Sequence, residues 1–198
     1  MKTHLVFLAF LIFPTACSNT ASIKTPVAAD MFFNKLSSHC GKAFAGKLTA
    51  FNESDTKSFS GAAVMHVRSC SENEIRIPFH VGEDRSRTWV ITKTSAGMRL
   101  KHDHRHQDGS EDKLTQYGGD TVSSGSATRQ EFPADAFSKA MFERDNIKVS
   151  MENTWALEVT DNNIFAYELK RPNRHFRVEF DLSKPVAIPP APWGFENN

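Results

Sequence analysis

The sequence predicts an all-β-dominated fold, an antiparallel meander rolled into a closed or nearly closed barrel of about 8–10 strands. An N-terminal helix and a short helix near 134–144 accompany it. Three observations lead there. Short stretches alternating between apolar and polar residues recur from Gly41 to Leu182, separated by tight turns. Each stretch has one apolar face and therefore one side to bury. No long crossover helix interrupts them, as a parallel sheet would require. A two-sheet sandwich is the main rival, and the cost of protecting isolated edges favours closure.

The N-terminus, MKTHLVFLAFLIFPTAC, has one lysine, a short apolar run and small residues before Cys17. That is the pattern of an export signal, and the run is too short to span a bilayer. Residues 1–16 thus read as a signal peptide, 17–24 as a tether, 25–185 as one barrel domain and 186–198 as a proline-rich tail. Thr15-Ala16-Cys17 resembles the bacterial lipoprotein cleavage motif, which implies lipidation at Cys17. Pro14 stands where that motif prefers leucine. Simple secretion with cleavage nearby is the alternative. The expected location is the periplasmic side of a bacterial envelope.

Lys2 is the one Lys, Arg, Asp or Glu in the first sixteen residues, so its removal leaves 23 basic and 23 acidic side chains. Neutral charge mixed along the chain does not suit a nucleic-acid binder. Cys40 and Cys70 are then an even pair in an exported protein, and a disulfide between them is the expectation. Sixteen phenylalanines point to a broad aromatic interior.

Thr25-Pro26 caps a helix whose Ala29, Phe32, Phe33 and Leu36 form one apolar stripe, and Gly41 ends it. KAFAGKLTAF follows as a strand with Phe44, Gly46, Leu48 and Ala50 on one side, and NESD as a turn. GAAVMHVRSC is a second strand and EIRIPFHV a third, where Pro78 calls for an edge, bulge or bend. TWVIT and MRLKHDHRH are the next two strands. Gly118-Gly119 marks a turn or bulge, TRQEF is extended, and Pro133 opens the helix ADAFSKAMFERD, with Phe137 and Met141 four apart. TWALEV, NIFAYELKR and RHFRVEFDL complete the meander. In the basic run from Leu169 to Arg177, Glu168, Glu179 and Asp181 offer cross-strand partners, so it reads as a solvated sheet face.

The best site candidate is the strand from Met98. Period-two alternation sets Met98, Leu100, His102, His104 and His106 on one face, and Arg99, Lys101, Asp103 and Arg105 on the other. The apolar start of the first row turns it inward, so a core row ends in imidazoles. Buried imidazoles need partners. Neighbouring strands supply Trp89, Trp155, Tyr167 and Phe176, which with the three histidines form the candidate ligand-binding set. A transition metal at His102 and His104 is the alternative, although same-face neighbours stand roughly 6.6 Å apart and no zinc-hydrolase signature such as HExxH is present.

The N-terminal helix, the meander from Gly41 to Phe180 and the aromatic inner rows resemble the calycin group, the lipocalins and fatty-acid-binding proteins. The usual Gly-x-Trp at the first strand is absent, and Phe44-Ala45-Gly46 is a poor stand-in. HDHRHQDGSED, YGGDT and HFRVEFDL also resemble stretches of an uncharacterised family of exported bacterial proteins. The calycin likeness implies a small apolar or amphipathic ligand in the barrel. The alternatives are a filled barrel acting as a structural or interaction lipoprotein, and a metal-dependent enzyme built on His102, His104 and His106. No catalytic residue and no cofactor beyond that metal is assigned. The expected partners are the small molecule and, through the anchor, the membrane; the oligomeric state stays open.

Overall fold

A computed structural model describes residues 27–196, without the side chains of Ser54 and Lys57. The signal peptide, the tether, Cys17 and the Thr25-Pro26 cap lie outside the described residues. Helix α1 (Val27–Ser37) leads into strand β1 (Ala43–Ala50), helix α2 (Glu53–Ser58), β2 (Ala63–His66), β3 (Ser69–Cys70) and β4 (Glu74–Val81). Then come β5 (Asp84–Thr94), β6 (Gly97–His104), β7 (Tyr117–Asp120), β8 (Arg129–Pro133) and helix α3 (Ala136–Arg144). A 3-10 helix at Lys148–Glu152 precedes β9 (Thr154–Val159), β10 (Ile164–Arg171) and β11 (Arg174–Val186).

The strands lie in the order β7-β6-β5-β4-β2-β1-β11-β10-β9-β8, with β3 pairing β4 off that path. Every pairing is antiparallel. Apart from β2 and β4, which the two-residue β3 separates, all neighbours on the path also follow one another as strands in sequence, except β1 and β11. That pair joins the two ends of the meander, Gly46 opposite Phe180 and Leu48 opposite Val178. The result is the expected nearly closed ten-stranded antiparallel barrel with flanking helices, consistent in general terms with a calycin-like fold.

The seam therefore falls in mid-chain, between β7 and β8. Side chains and single bonds hold it in place of a ladder. Gly118 N–H donates to Ser138 Oγ (2.7 Å), Ser138 Oγ–H donates to the Gly118 carbonyl (2.9 Å), and Asp135 N–H donates to the same carbonyl (2.9 Å). Gly118-Gly119 is thus a strand and not the expected turn. Glycine is required because the chains touch: a Cβ at Gly119 would lie 1.8 Å from the Pro133 carbonyl oxygen, and one at Gly118 would lie 1.9 Å from that of Leu100.

Helix α1 buries Ala29, Phe32, Phe33 and Leu36 as its stripe requires. It packs on β5, β8 and β9 and closes the barrel end where β5 turns into β6, with Lys93 paired to Asp30 (2.9 Å). The Cys40–Cys70 disulfide is formed and ties the segment after α1 to β3. Closing that 30-residue span stabilises on the order of 3 kcal/mol by restricting the unfolded chain. Above α1 the interior is a stack of rings. Trp89 lies between Phe79 (4.8 Å) and Tyr167 (4.5 Å), near-parallel to both.

Several local expectations change. NESD begins helix α2 and does not end as a turn, because Asp55 Oδ2 reaches back to the Asn52 N–H (2.9 Å). The second strand breaks into β2 and β3 at Val67-Arg68, opposite Ile77-Pro78, where β4 has no proline N–H to offer. Proline thus marks the interruption, as expected. Pro133 ends β8, and Asp135 caps α3 by accepting from Ser138 N–H (2.8 Å). The buried face of α3 is Ser138, Met141 and Phe142, and Phe137 points outward beneath the Lys101 ammonium (5.1 Å). The seam's need for Ser138 sets that rotation. β11 runs to Val186, one residue past the expected domain boundary. The remaining tail straps the outer face: Arg85 Nη1 donates to the Ala191 carbonyl, and Phe195 lies 4.9 Å from the Arg105 guanidinium.

The seam yields a prediction. Ser138→Ala leaves the buried Gly118 N–H without its acceptor, at a cost of about 1–3 kcal/mol. Hydrogen exchange at Gly118 should accelerate while amides of the β4–β5 ladder keep their protection. Unchanged exchange at Gly118 would show that the seam is held by other means.

Candidate functional site

At the end of the barrel opposite α1 the rings stop short of filling the interior. A cavity of about 380 Å³ remains, lined among others by Trp89, His102, His104, Trp155, Tyr167 and Phe176. Six of the seven candidate residues therefore meet around one space. His106 does not. Strand β6 ends at His104, Arg105 makes an isolated bridge to Glu111, and His106 N–H donates to the Ser110 carbonyl (2.8 Å) in the hairpin that follows. The ladder stops there, so the two-residue alternation no longer governs His106, whose side chain is 57% exposed.

His102 is fully committed. Its Nδ1–H donates to the Tyr117 carbonyl (3.0 Å), which can only accept, so Nε2 must accept from the Tyr167 hydroxyl (2.9 Å). The ring also stacks on Tyr117 at 4.4 Å. Burial pushes this imidazole down to about 3, with the neighbouring His104 ring adding to the effect. His104 is pushed down to about 4, first by burial and then by the Arg87 guanidinium. Burial also raises the Tyr117 and Tyr167 phenols well above their ordinary value. At neutral pH this is a wholly uncharged His–Tyr cluster. His104 Nε2 bonds with the Tyr117 hydroxyl (3.1 Å), and its Nδ1 has no protein partner among the described residues.

The free Nδ1 of His104 is thus a polar handle on an aromatic wall. With both nitrogens engaged, His102 has none to share with a metal. Among the described residues no group of three or more His, Cys, Asp or Glu side chains is arranged to hold a metal ion.

Sequence reasoning overlooked the rim. Arg87, Arg171 and Arg174 line the cavity with Tyr117, Phe142 and Asn153. Arg87 was open to discovery, since it shares a face with Trp89 two residues on. Arg171 and Arg174 flank the Pro172-Asn173 turn and bend towards the mouth. The rest of the basic run behaves as a sheet face, although less solvated than expected. Glu168, 5% exposed, meets Arg129 (2.8 Å), Lys170 (3.0 Å) and His175 (2.9 Å), and those donors hold its carboxyl down at about 2 against the cost of burial. The outer row of β6 beyond the exposed Arg99 is likewise partly covered. Asp103 is 3% exposed beneath the tail, with Arg105 at 3.1 Å and Arg76 at 3.7 Å.

The neutral imidazoles set a pH dependence. Above pH 6.5 neither the folded nor the unfolded chain protonates His102. Below it the unfolded chain binds a proton and the folded chain does not until about pH 3, so stability falls as pH drops through that window. At pH 5 the loss for one such buried imidazole is on the order of 1–2 kcal/mol. His102→Gln keeps a donor and an acceptor but does not titrate. Urea unfolding at pH 7 and pH 5 should show a loss smaller by that amount in the variant, and equal losses would show that His102 titrates normally in the fold. The chain matches no family model, no curated protein and no solved structure.

Proposed function

We propose that the protein is an exported, lipid-anchored envelope protein whose barrel takes up one small apolar or amphipathic molecule. The observation that carries the binding reading is the cavity of about 380 Å³, lined by aromatic rings and by His104 with its unused Nδ1. That volume falls within the range of small-molecule sites, and a mostly apolar wall with few polar groups is their usual character. Trp155, Tyr117 and Phe176 would cover the apolar body, and His104 would meet a polar group. A metal-dependent reaction at the same place would need free imidazole nitrogens that His102 does not offer. A filled structural barrel would need further side chains in the space that Phe79, Trp89 and Tyr167 line.

Export and anchoring rest on the N-terminal pattern ending in Cys17, and a disulfide between Cys40 and Cys70 suits an oxidising compartment. Cells fed radiolabelled palmitate should label the wild-type protein and leave Cys17→Ala unlabelled; a wild type without label would remove the anchor.

The cavity is tested with a neutral apolar fluorophore, N-phenyl-1-naphthylamine. Its emission should rise and shift to the blue on one-to-one binding. Ile147→Trp, which extends a half-buried wall side chain into the space, should abolish the rise while the thermal midpoint stays within a few degrees. Absence of enhancement with the folded wild type would defeat the binding reading.

A further inference from the structure

The cavity wall is unbalanced in charge. It contains three guanidinium groups, Arg87, Arg171 and Arg174, and no carboxylate or lysine. Two of the three have acidic partners set behind the wall: Arg87 pairs with Asp84 (2.6 Å) and Arg174 with Asp55 (2.5 Å). Among the described residues Arg171 hydrogen-bonds neutral acceptors only, Ser150 Oγ and Asn153 Oδ1, each at 3.1 Å. Burial and the nearby Arg174 charge both work against its protonated form, and the Asp55 carboxylate, already paired with Arg174, offsets them only in part. The Nε of Arg174 is buried and bonds to nothing among the described residues.

A half-buried cation whose hydrogen bonds all go to neutral groups, and an orphaned N–H beside it, both carry a cost. The remaining polar groups of the wall cannot offset them, because the His102–Tyr167 and His104–Tyr117 pairs are uncharged at neutral pH. A neutral or cationic guest would leave the imbalance in place. An anion would remove it, and the planar fork of arginine suits the paired oxygens of a carboxylate or phosphate.

We propose that the ligand is an amphipathic organic anion, its carboxylate or phosphate-monoester head held by Arg171 and Arg174 and its apolar body lying against Tyr117, Trp155 and Phe176. This rests on the cavity being the binding site.

The test compares octanoate, octyl phosphate, 1-octanol and octyltrimethylammonium by calorimetry, with tryptophan fluorescence as a second readout. Both or one of the anions should bind at least about ten-fold more tightly than octanol, the scale of one charge-assisted hydrogen bond, and the tighter anion names the head group. Arg171→Gln should erase that advantage without changing octanol affinity, and Arg171→Lys should recover part of it. Arg99→Gln, which removes an exposed guanidinium paired with Asp120 outside the cavity, should change nothing. Octanol binding as tightly as both anions would overturn the anion site and leave the cavity as an apolar one. Retention of the full advantage in Arg171→Gln would overturn the role of Arg171. No binding of any of the four would overturn the anion site and the binding reading together.

Discussion

The barrel depends on the ladder between β1 and β11. Every other pairing joins strands that are neighbours in the meander, the longest connection being residues 134–153 between β8 and β9. Here Gly46 meets Phe180 across nearly the whole domain, so this contact carries the largest loop-closure entropy. What offsets it is the inward row of both strands, in which Phe44, Val178 and Phe180 are wholly buried. Close approach is part of the design. Gly46 has no side chain because a Cβ would sit 2.6 Å from the Phe180 ring.

With that ladder in place, the interior divides along its length. The half next to α1 is apolar, with Phe32, Phe33 and Leu36 of the helix buried against it. The other half carries buried polar groups that find partners, the His102 nitrogens in Tyr117 and Tyr167 and the Gly118 backbone in Ser138, with Arg174 Nε at the mouth the exception. A network of this kind stabilises when complete and is costly when one member is lost. The outer face of β8–β11 follows the same rule with charges, since Glu168 tolerates burial by collecting several cationic donors. Arg171 stands apart from both networks, which is why the mouth rather than the interior invites a partner.

Much of this was legible in the sequence, and the reasons are local. The apolar stripe of α1 and the alternation in β4, β6, β10 and β11 are direct consequences of helical and strand geometry. The inward turn of His102 and His104 followed from Met98 and Leu100 alone. What escaped depended on contacts between distant segments. Gly118-Gly119 looked like a turn or bulge because nothing in YGGDT reveals that Ser138 and Pro133 lie against it. Arg171 and Arg174 looked solvated because their direction is set at a hairpin tip, where the two-residue period lapses. The burial of Asp103 needed the tail, whose path no periodicity encodes.

The placement of the seam has a consequence for how the interior can be reached. β7 and β8 border the gap and are joined by residues 121–128, so the two edges can part without breaking any ladder. The bonds that Ser138 and Asp135 make with Gly118, the Lys101–Asp135 ion pair and the ring contacts of Tyr117 would give way instead. Tyr117, which stacks on His102 and bonds to His104, is the residue next to that hinge line. A guest molecule could therefore pass through the flank of the barrel, displacing one aromatic ring, while the strands that define the fold stay zipped.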